Sequence, residues 1–177
     1  IVGPISVKNP ENFVSLYQSI DLDMLIASLQ GITSLGFPCA STGQNQGFKK
    51  SIYNKVSKFD KIQNLLGGDD SLFLNIVRNN QGKIKFVSNK NAVVFSRHEN
   101  KIKNLINQRM RWALDANLMY KFNFVFYILI VCSFLANLII LILPLIHYYS
   151  LVEIKFLIIS KFIFEIILFG LSKGKNS

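Results

Sequence analysis

The sequence contains few of the residues that cross-link small secreted proteins or hold structural metals: two cysteines and two histidines among 177 residues. Cys39 lies in the soluble part of the chain and Cys132 inside an apolar run, so we expect no disulfide framework. His98 and His147 have no second ligand at the spacing of a metal site. The sequence therefore predicts no metal site built from this chain alone.

Targeting and repeat signals are also missing. No basic start followed by a short apolar core and a cleavage site is present, so we identify no signal peptide. No internal repeat and no low-complexity linker is visible. The chain starts at Ile1 rather than Met, and its first residues are typical of the middle of a fold. We therefore interpret it as part of a longer protein.

Acidic residues are scarce, with ten Asp and Glu against twenty Lys and Arg, a net charge of +10 and a pI near 9.7. Such an excess suits nucleic acid, anionic lipid or a phosphorylated substrate. Many basic residues flank the apolar runs, where the positive-inside rule favours the cytoplasmic lipid surface. They are Arg97, Lys101, Lys103, Arg109, Arg111, Lys121, Lys173 and Lys175. Aromatic residues are not interleaved with Arg in a recognisable module, so we expect no nucleic-acid partner.

Charge is absent altogether from residues 122–145. A helix needs about twenty mostly apolar residues to cross the bilayer core. The run therefore predicts a membrane span over about residues 122–145. The alternative, a buried core helix, would need a much larger soluble domain around it.

A second apolar run, residues 151–171, is interrupted by charges. Lys161 and Glu165 are four residues apart and can pair on one helix face, although charges at mid-membrane are unfavourable. We predict a second span, which completes a transmembrane helical hairpin, or a partly interfacial helix. An amphipathic helix that lies on the membrane surface is the competing interpretation.

The soluble part predicts strands and helices in alternation. Residues 1–7 are typical of a strand, and Asn9 with Pro10 is typical of a helix start. Apolar side chains then recur at helical spacing. They are Phe13, Leu16, Tyr17, Ile20, Met24 and Leu25. Short strands are predicted over residues 83–87 and 92–95, and helical spacing returns from Ile102 to Ala113.

Paired carboxylates follow two glycines at residues 67–70. Asp69 and Asp70 open a predicted helix whose apolar face is Leu72, Phe73, Ile76 and Val77. A carboxylate after a flexible turn can serve as a general base, and Asp70 is our candidate. The alternative is that both aspartates only cap the helix, since Asp is favoured at helix starts and the helix dipole favours its charge.

A second cluster precedes the first apolar run. Gln108, Arg111 and Trp112 are spaced so that a helix places them on one face. The planar fork of Arg suits a diphosphate, Gln can donate a further hydrogen bond, and Trp offers a flat apolar face to a sugar. The alternative is an amphipathic helix on the membrane, with Trp in the interface and Arg on lipid phosphates.

The order of these parts resembles the membrane-bound inverting glycosyltransferases of family 2, which include the cellulose, chitin and hyaluronan synthases. Those enzymes carry an acidic pair that ends in the base, then Gln-x-x-Arg-Trp, then transmembrane helices. Residues 43–50 resemble the family's Gly-x-Asn-x-x-Phe-Lys/Arg segment, with Gly43, Asn45 and Phe48 in place. The resemblance implies an α/β fold: a partial GT-A domain, the C-terminal half of the catalytic domain, over residues 1–117, and a membrane anchor over residues 118–177.

The resemblance also implies roles for individual residues. Asp70 would be the catalytic base and Asp69 its acidic partner with a local positioning role. Gln108 and Arg111 would contact the diphosphate of a nucleotide-sugar donor, and Trp112 would contact a carbohydrate or lipid-linked acceptor. The enzyme would be a multi-pass membrane protein that makes a polysaccharide or similar product, with its catalytic part in the cytoplasm.

One departure from the family pattern limits the resemblance. The family's Asp-x-Asp metal motif should precede the first strand, whereas Asp21-Leu22-Asp23 falls after Gly3-Pro4, in a predicted helix. We interpret that match as chance. A divalent cation, Mg or Mn, is implied for the longer protein with ligands outside this chain, so we expect the chain alone to be inactive. The rival interpretation is a non-enzymatic membrane-tethered module with a basic lipid-docking helix, for which Asp70 would be dispensable.

Overall fold

The structure, a computed structural model, describes residues 1–56, 68–146 and 151–174. The described part is mostly helical and contains a small parallel sheet, so helix outweighs strand more than the predicted α/β alternation implies. The elements are β1 (Ile5–Val7), α1 (Phe13–Ser34), α2 (Lys50–Lys55), α3 (Asp69–Asn79), β2 (Val94–Ser96), α4 (Ile102–Phe122), α5 (Phe124–Ile146) and α6 (Leu151–Gly174), with short 3-10 turns at Gly43–Asn45 and Lys90–Ala92.

The sheet pairs β1 with β2 in parallel, with Ile5 opposite Val94. Two of the three predicted strands are therefore present: β1 begins four residues later than the predicted strand over residues 1–7, and β2 is shifted by one or two residues from the predicted 92–95. The predicted strand over residues 83–87 is wrong: Phe86 forms only an isolated bridge with Val2. Pro4 has no backbone N–H to extend that ladder, and its carbonyl instead accepts from the Val94 N–H at 3.1 Å.

Helix α1 starts three residues later than the sequence predicts. Asn12, not Asn9, is the N-cap: its side chain accepts from the Ser15 N–H, and the Ser15 hydroxyl accepts from the Asn12 N–H, both at 2.9 Å. This reciprocal pair satisfies two backbone donors of the first turn. Asn9 adopts a left-handed conformation, with φ of 44°, in the turn after β1.

The apolar residues whose spacing predicts α1 are mostly not the ones that it buries. Phe13 is 82% exposed and Tyr17 53% exposed. The side of α1 that packs on the sheet contributes Leu22 and Ile26 to a core with Ile5. The first half of α1 therefore leaves an apolar face uncovered within the described chain.

Helix α3 buries the face that the sequence predicts. Leu72, Phe73, Ile76 and Val77 pack with Val56 and Met119 in one core cluster. The Phe73 ring is fully buried and lies 4.8 Å from the Phe48 ring, centroid to centroid. This packing fixes the N-terminus of α3, where the acidic pair lies.

Asn123 separates α4 from α5, so the predicted span over residues 122–145 begins two residues before α5: Phe122 still belongs to α4, and α5 begins at Phe124. The Asn123 side chain accepts from the Phe126 N–H at 3.2 Å, which caps α5. It also donates to the buried amide of Asn75 in α3 at 2.9 Å. The start of the apolar helix is thereby tied to the helix that carries the acidic pair.

Within the described residues, one helix is long and apolar enough to cross a membrane, over Phe124–Ile142, with a mean hydropathy of 2.8 and none of that stretch buried. Helix α6 packs against α1 and α5. Its Lys161 and Glu165 form the predicted pair, at 3.5 Å. That α6 is a second span remains a prediction, and His147, residues 148–150 and Lys175 lie outside the described residues.

Candidate functional site

The acidic pair occupies the first turn of α3, where the helix dipole favours negative charge. Gly68 is the N-cap and adopts a left-handed conformation, with φ of 70°. A methyl group at Gly68 would also lie 3.1 Å from the Cβ of Asp115 in α4. Glycine is therefore required here for both conformation and space. Gly67, the first glycine of the predicted motif, lies outside the described residues.

Asp70 reaches across to the segment that precedes α2. Its Oδ2 accepts from the Gly43 N–H at 2.6 Å, and its Oδ1 accepts from the Ser71 N–H at 2.6 Å. Gln46 donates to the Asp70 carbonyl at 3.1 Å. The N-cap of α3 is Gly68, but Asp70 still accepts from a first-turn N–H of its own helix, as the capping alternative expects. The other oxygen of its carboxylate is oriented by the backbone of another segment.

That segment, residues 43–50, is anchored between the sheet and the acidic pair. The Asn45 side chain donates to the carbonyls of Pro4 and Ala92, each at 2.7 Å. Any side chain at Gly3 would collide with Asn45. Asn45 thus joins both strands of the sheet and fixes the turn that presents the Gly43 N–H to Asp70.

Gln108 in α4 is oriented by α1. The buried Gln18 accepts from the Glu99 N–H at 2.8 Å, which identifies the Gln18 oxygen because a backbone N–H can only donate. Its amide nitrogen then donates to the Gln108 Oε1 at 3.2 Å. The Gln108 amide is therefore turned so that its Nε2, a donor, is the end left for a ligand.

Arg109, which the sequence places only among the basic residues near the membrane, is also held by α1. Its guanidinium forms an ion pair with Asp21 and lies over the Trp112 ring, with Cζ 4.2 Å from the ring centroid. Burial raises the pKa of Asp21, the charge and hydrogen bond of Arg109 oppose that rise, and Glu165 of α6 adds to it. Trp112 itself remains 37% exposed.

A third carboxylate, Asp115, lies one turn after Arg111 and beside the acidic pair. Burial raises its pKa, the charges of Asp70 and Asp69 raise it further, and Arg111 lowers it. Asp115 is not among the site residues that the sequence predicts. Its spacing of four from Arg111 indicates that the two side chains share a face of α4, but only the fold shows that Asp115 lies beside Gly68 at the start of α3.

The described residues do not provide a metal cluster: no three His, Cys, Asp or Glu side chains among them are grouped to hold an ion. The two carboxylates of Asp21-Leu22-Asp23 contact different side chains. Asp21 pairs with Arg109, whereas Asp23 accepts from the Ser6 hydroxyl at 3.1 Å. The two carboxylates therefore do not act as a joint ligand pair, and we derive no chemical step through a cation.

The fold thus gathers all five predicted site residues around α4 and the start of α3. Asp69, Asp70 and Arg111 all act electrostatically on Asp115. Gln108 and Trp112 lie where α1 contacts α4. A carboxylate, a cation, an amide donor and an aromatic surface are the groups that a transfer from a phosphorylated donor to a hydroxyl requires.

A family model described as "Glycosyl transferase family group 2" matches residues 1–172 of the chain. No curated protein and no solved structure gives a significant match.

Proposed function

The chain belongs to glycosyl transferase family group 2, and we propose that it carries the base and the acceptor site of an inverting enzyme. Membership makes glycosyl transfer its reaction, with a nucleotide-sugar donor and an acceptor. The finer assignments below are proposals: the inverting course, the residue roles, and a membrane enzyme of the cellulose, chitin or hyaluronan synthase type.

Asp70 is the proposed general base. The acceptor hydroxyl attacks the anomeric carbon of the donor from the side opposite the diphosphate, and Asp70 takes the hydroxyl proton. The new acceptor oxygen–carbon bond replaces the carbon–oxygen bond to the diphosphate, so the configuration inverts. The Gly43 N–H that holds one Asp70 oxygen gives the carboxylate a fixed orientation for this step.

Arg111 and Gln108 bind the departing diphosphate in this proposal. Arg111 supplies two-pronged donors and a permanent charge. Gln108 supplies its Nε2, because Gln18 occupies its oxygen. Trp112 presents the exposed part of its ring to the acceptor sugar. A divalent cation on the donor is part of the proposal, and its ligands would come from other residues.

The observation that carries the proposal is the meeting of two motifs that are about forty residues apart in the sequence. Helices α3 and α4 are in contact. Asp115, one turn beyond Arg111, lies against Gly68. Its pKa is raised by burial and further by the charges of both aspartates of the pair. Arg111 also acts on Asp115, so Asp115 is the residue through which the two motifs are connected.

Membrane attachment is the second part of the proposal. Helix α5 has the length and composition of a span. We propose that α5 and α6 form a hairpin with both ends in the cytoplasm, that the part of α6 around Glu165 lies at the cytoplasmic surface where it packs against α1, and that the catalytic residues face the same side. Labelling of single cysteines introduced on either side of α5 and after α6 tests this arrangement, and external labelling of the C-terminus contradicts it.

A lipid-docking module is the second candidate, and one observation favours it. Ile102, Ile106 and Met110 repeat at four-residue spacing along α4 and are 65%, 52% and 60% exposed. Such a stripe suits a helix that rests on a bilayer surface. The enzyme and the module differ in what they require of Asp70.

Replacement of the base separates these candidates in the intact membrane protein. Asp70→Asn keeps the side-chain size but removes the basic carboxylate, so transfer should fall by about 100- to 10,000-fold, while donor binding stays near normal. Asp69→Asn, in the same turn, is the matched control and should lose much less. Normal transfer by Asp70→Asn protein would overturn the assignment of Asp70 as the base.

A further inference from the structure

Arg109 occupies an unspecified position of Gln-x-x-Arg-Trp, so the motif does not explain the two contacts of its side chain. Its guanidinium pairs with the Asp21 carboxylate of α1 and stacks over the Trp112 ring, 4.2 Å from the centroid. We propose that Asp21 and Arg109 are positioning residues that hold Trp112 in the orientation in which it receives the acceptor sugar. This inference rests on the proposed acceptor role of Trp112.

The geometry of Arg109 suits this role. A guanidinium is planar, so its face can lie on an aromatic ring while its edge donates to a carboxylate. Arg109 and Trp112 are three residues apart and share a side of α4. With one ring face covered by Arg109, the acceptor is left with the 37% of Trp112 that remains exposed.

Asp21 extends the control of the ring beyond α4. It lies one turn after Gln18 on α1, and Gln18 holds the neighbouring motif residue Gln108. Two successive polar residues on one side of α1 therefore contact two successive residues of the motif. The orientation of Trp112 is consequently set from a second helix as well as by its own rotamer preference.

Helix α6 also reaches this pair. Glu165 acts on Asp21 electrostatically, and Glu165 itself pairs with Lys161 at 3.5 Å. Among the described residues, the charged groups that act on Asp21 are thus Arg109 from α4 and Glu165 from α6. Burial of Asp21 and the charge of Glu165 oppose its ionisation, whereas Arg109 favours it and is held against the ring in return.

Trp112 is the single tryptophan of the chain, so tryptophan fluorescence reports on its environment alone. In the purified 177-residue chain in detergent, Arg109→Lys keeps the charge but loses the planar stack, and Asp21→Asn keeps the shape but loses the ion pair. Both should shift Trp112 emission to longer wavelength and increase quenching by acrylamide. Lys103→Gln, which removes an exposed charge from the same helix, is the matched control and should leave both quantities unchanged.

A pH titration tests the pair without any substitution. The raised pKa of Asp21 means that it takes up its proton at a higher pH than an ordinary aspartate. As the pH falls through that range, wild-type emission should shift in the direction of the Arg109→Lys spectrum. Asp21→Asn protein should show no such step, and an identical step in that variant would overturn the inference.

Kinetics in the intact membrane protein separate this inference from the proposed function. Arg109→Lys and Asp21→Asn should raise the acceptor KM by up to about fivefold, the range of an exposed cation–π contact, with little change in kcat. If Trp112→Phe leaves the acceptor KM unchanged, the acceptor role itself is wrong. If Trp112→Phe raises it while the two positioning variants match wild type in KM and emission, only the positioning inference is overturned.

Discussion

Helix α4 contacts two neighbours, and the polar groups on its two sides differ in how completely they are paired. On the α1 side, Gln108 accepts from Gln18 and Arg109 pairs with Asp21. On the α3 side, Arg111 is exposed and has no ion-pair partner within 4.0 Å among the described residues. On the α1 side, protein contacts leave the Gln108 Nε2 and the exposed part of the Trp112 ring to a ligand, whereas the α3 side offers the charge of Arg111.

The α3 side also gathers like charges. Asp69, Asp70 and Asp115 lie close enough that the first two raise the pKa of the third. Such a cluster is unfavourable in itself, since the charges of Asp69 and Asp70 add to the effect of burial in opposing ionisation of Asp115. Strain of this kind is typical of sites that bind or react. The α1 side, in contrast, has the paired arrangement of a structural contact, so the two sides predict different consequences of substitution.

Among the substitutions in α4 and α1, the largest effect should follow a change at Arg111. Arg111→Lys keeps the charge but loses the two-pronged donor geometry. Donor binding and transfer should therefore weaken together by about 10- to 100-fold, the worth of a hydrogen bond to a charged group. Donor KM and kcat/KM in the intact membrane protein measure the effect.

Arg97→Lys is the matched control for Arg111→Lys, because Arg97 is exposed and precedes α4. That variant should behave as wild type. If Arg111→Lys also does so, a point charge is sufficient at this position. The side of α4 that faces α3 would then be a lipid contact rather than a diphosphate site.

Local sequence patterns predict the structure on the α3 side of α4 better than the contacts on its α1 side. The burial of Leu72 and Phe73 and the helix start beside the acidic pair follow from residues within one helix, which is why periodicity predicts them. The four-residue spacing of Lys161 and Glu165 predicted their pair for the same reason. These features depend on neighbours in sequence.

The α1 side depends on partners far away along the chain. Gln18 and Gln108 are 90 residues apart, and no local pattern connects them. The periodicity of α1 marks Phe13 and Tyr17, which are exposed, because it identifies a helix but not which of its sides meets the sheet. Asp115 is not predicted for the same reason, because its neighbour Gly68 is the N-cap of a different helix, α3.

A change at Gln18 should have an intermediate effect, because it acts on the site through Gln108. Gln18→Glu keeps the acceptor for the Glu99 N–H but places a second acceptor opposite the Gln108 oxygen. Gln108 should then flip and donate its Nε2 to the new carboxylate instead of the diphosphate. The loss of one hydrogen bond corresponds to an increase in donor KM of about 2- to 12-fold.

The intact membrane protein is again the sample, and acceptor KM is the internal control for Gln18→Glu. Because Trp112 is held through Arg109 rather than Gln108, acceptor KM should not change. An unchanged donor KM would contradict the proposed donor role of Gln108. A change in acceptor KM alone would show that α1 moves as a unit when Gln18 is altered.

The smallest effect concerns stability at Asp115. A carboxyl whose pKa is raised in the folded protein destabilises it when ionised, and this destabilisation disappears as the pH falls through that pKa. Asp115→Asn should therefore raise the melting temperature near neutral pH. The gain in free energy of unfolding should stay below about 1 kcal/mol, because Asp115 is only partly buried and water screens the repulsion.

The pH dependence identifies the cause of that gain. From about pH 7 down to about pH 3, wild-type and Asp115→Asn melting temperatures should converge, since Asp115 becomes protonated and neutral like asparagine. A variant that is less stable than wild type at neutral pH would show that attraction between Asp115 and Arg111 outweighs repulsion from Asp69 and Asp70. The α3 side of α4 would then be a paired contact like the α1 side, and the contrast between the two sides would fail.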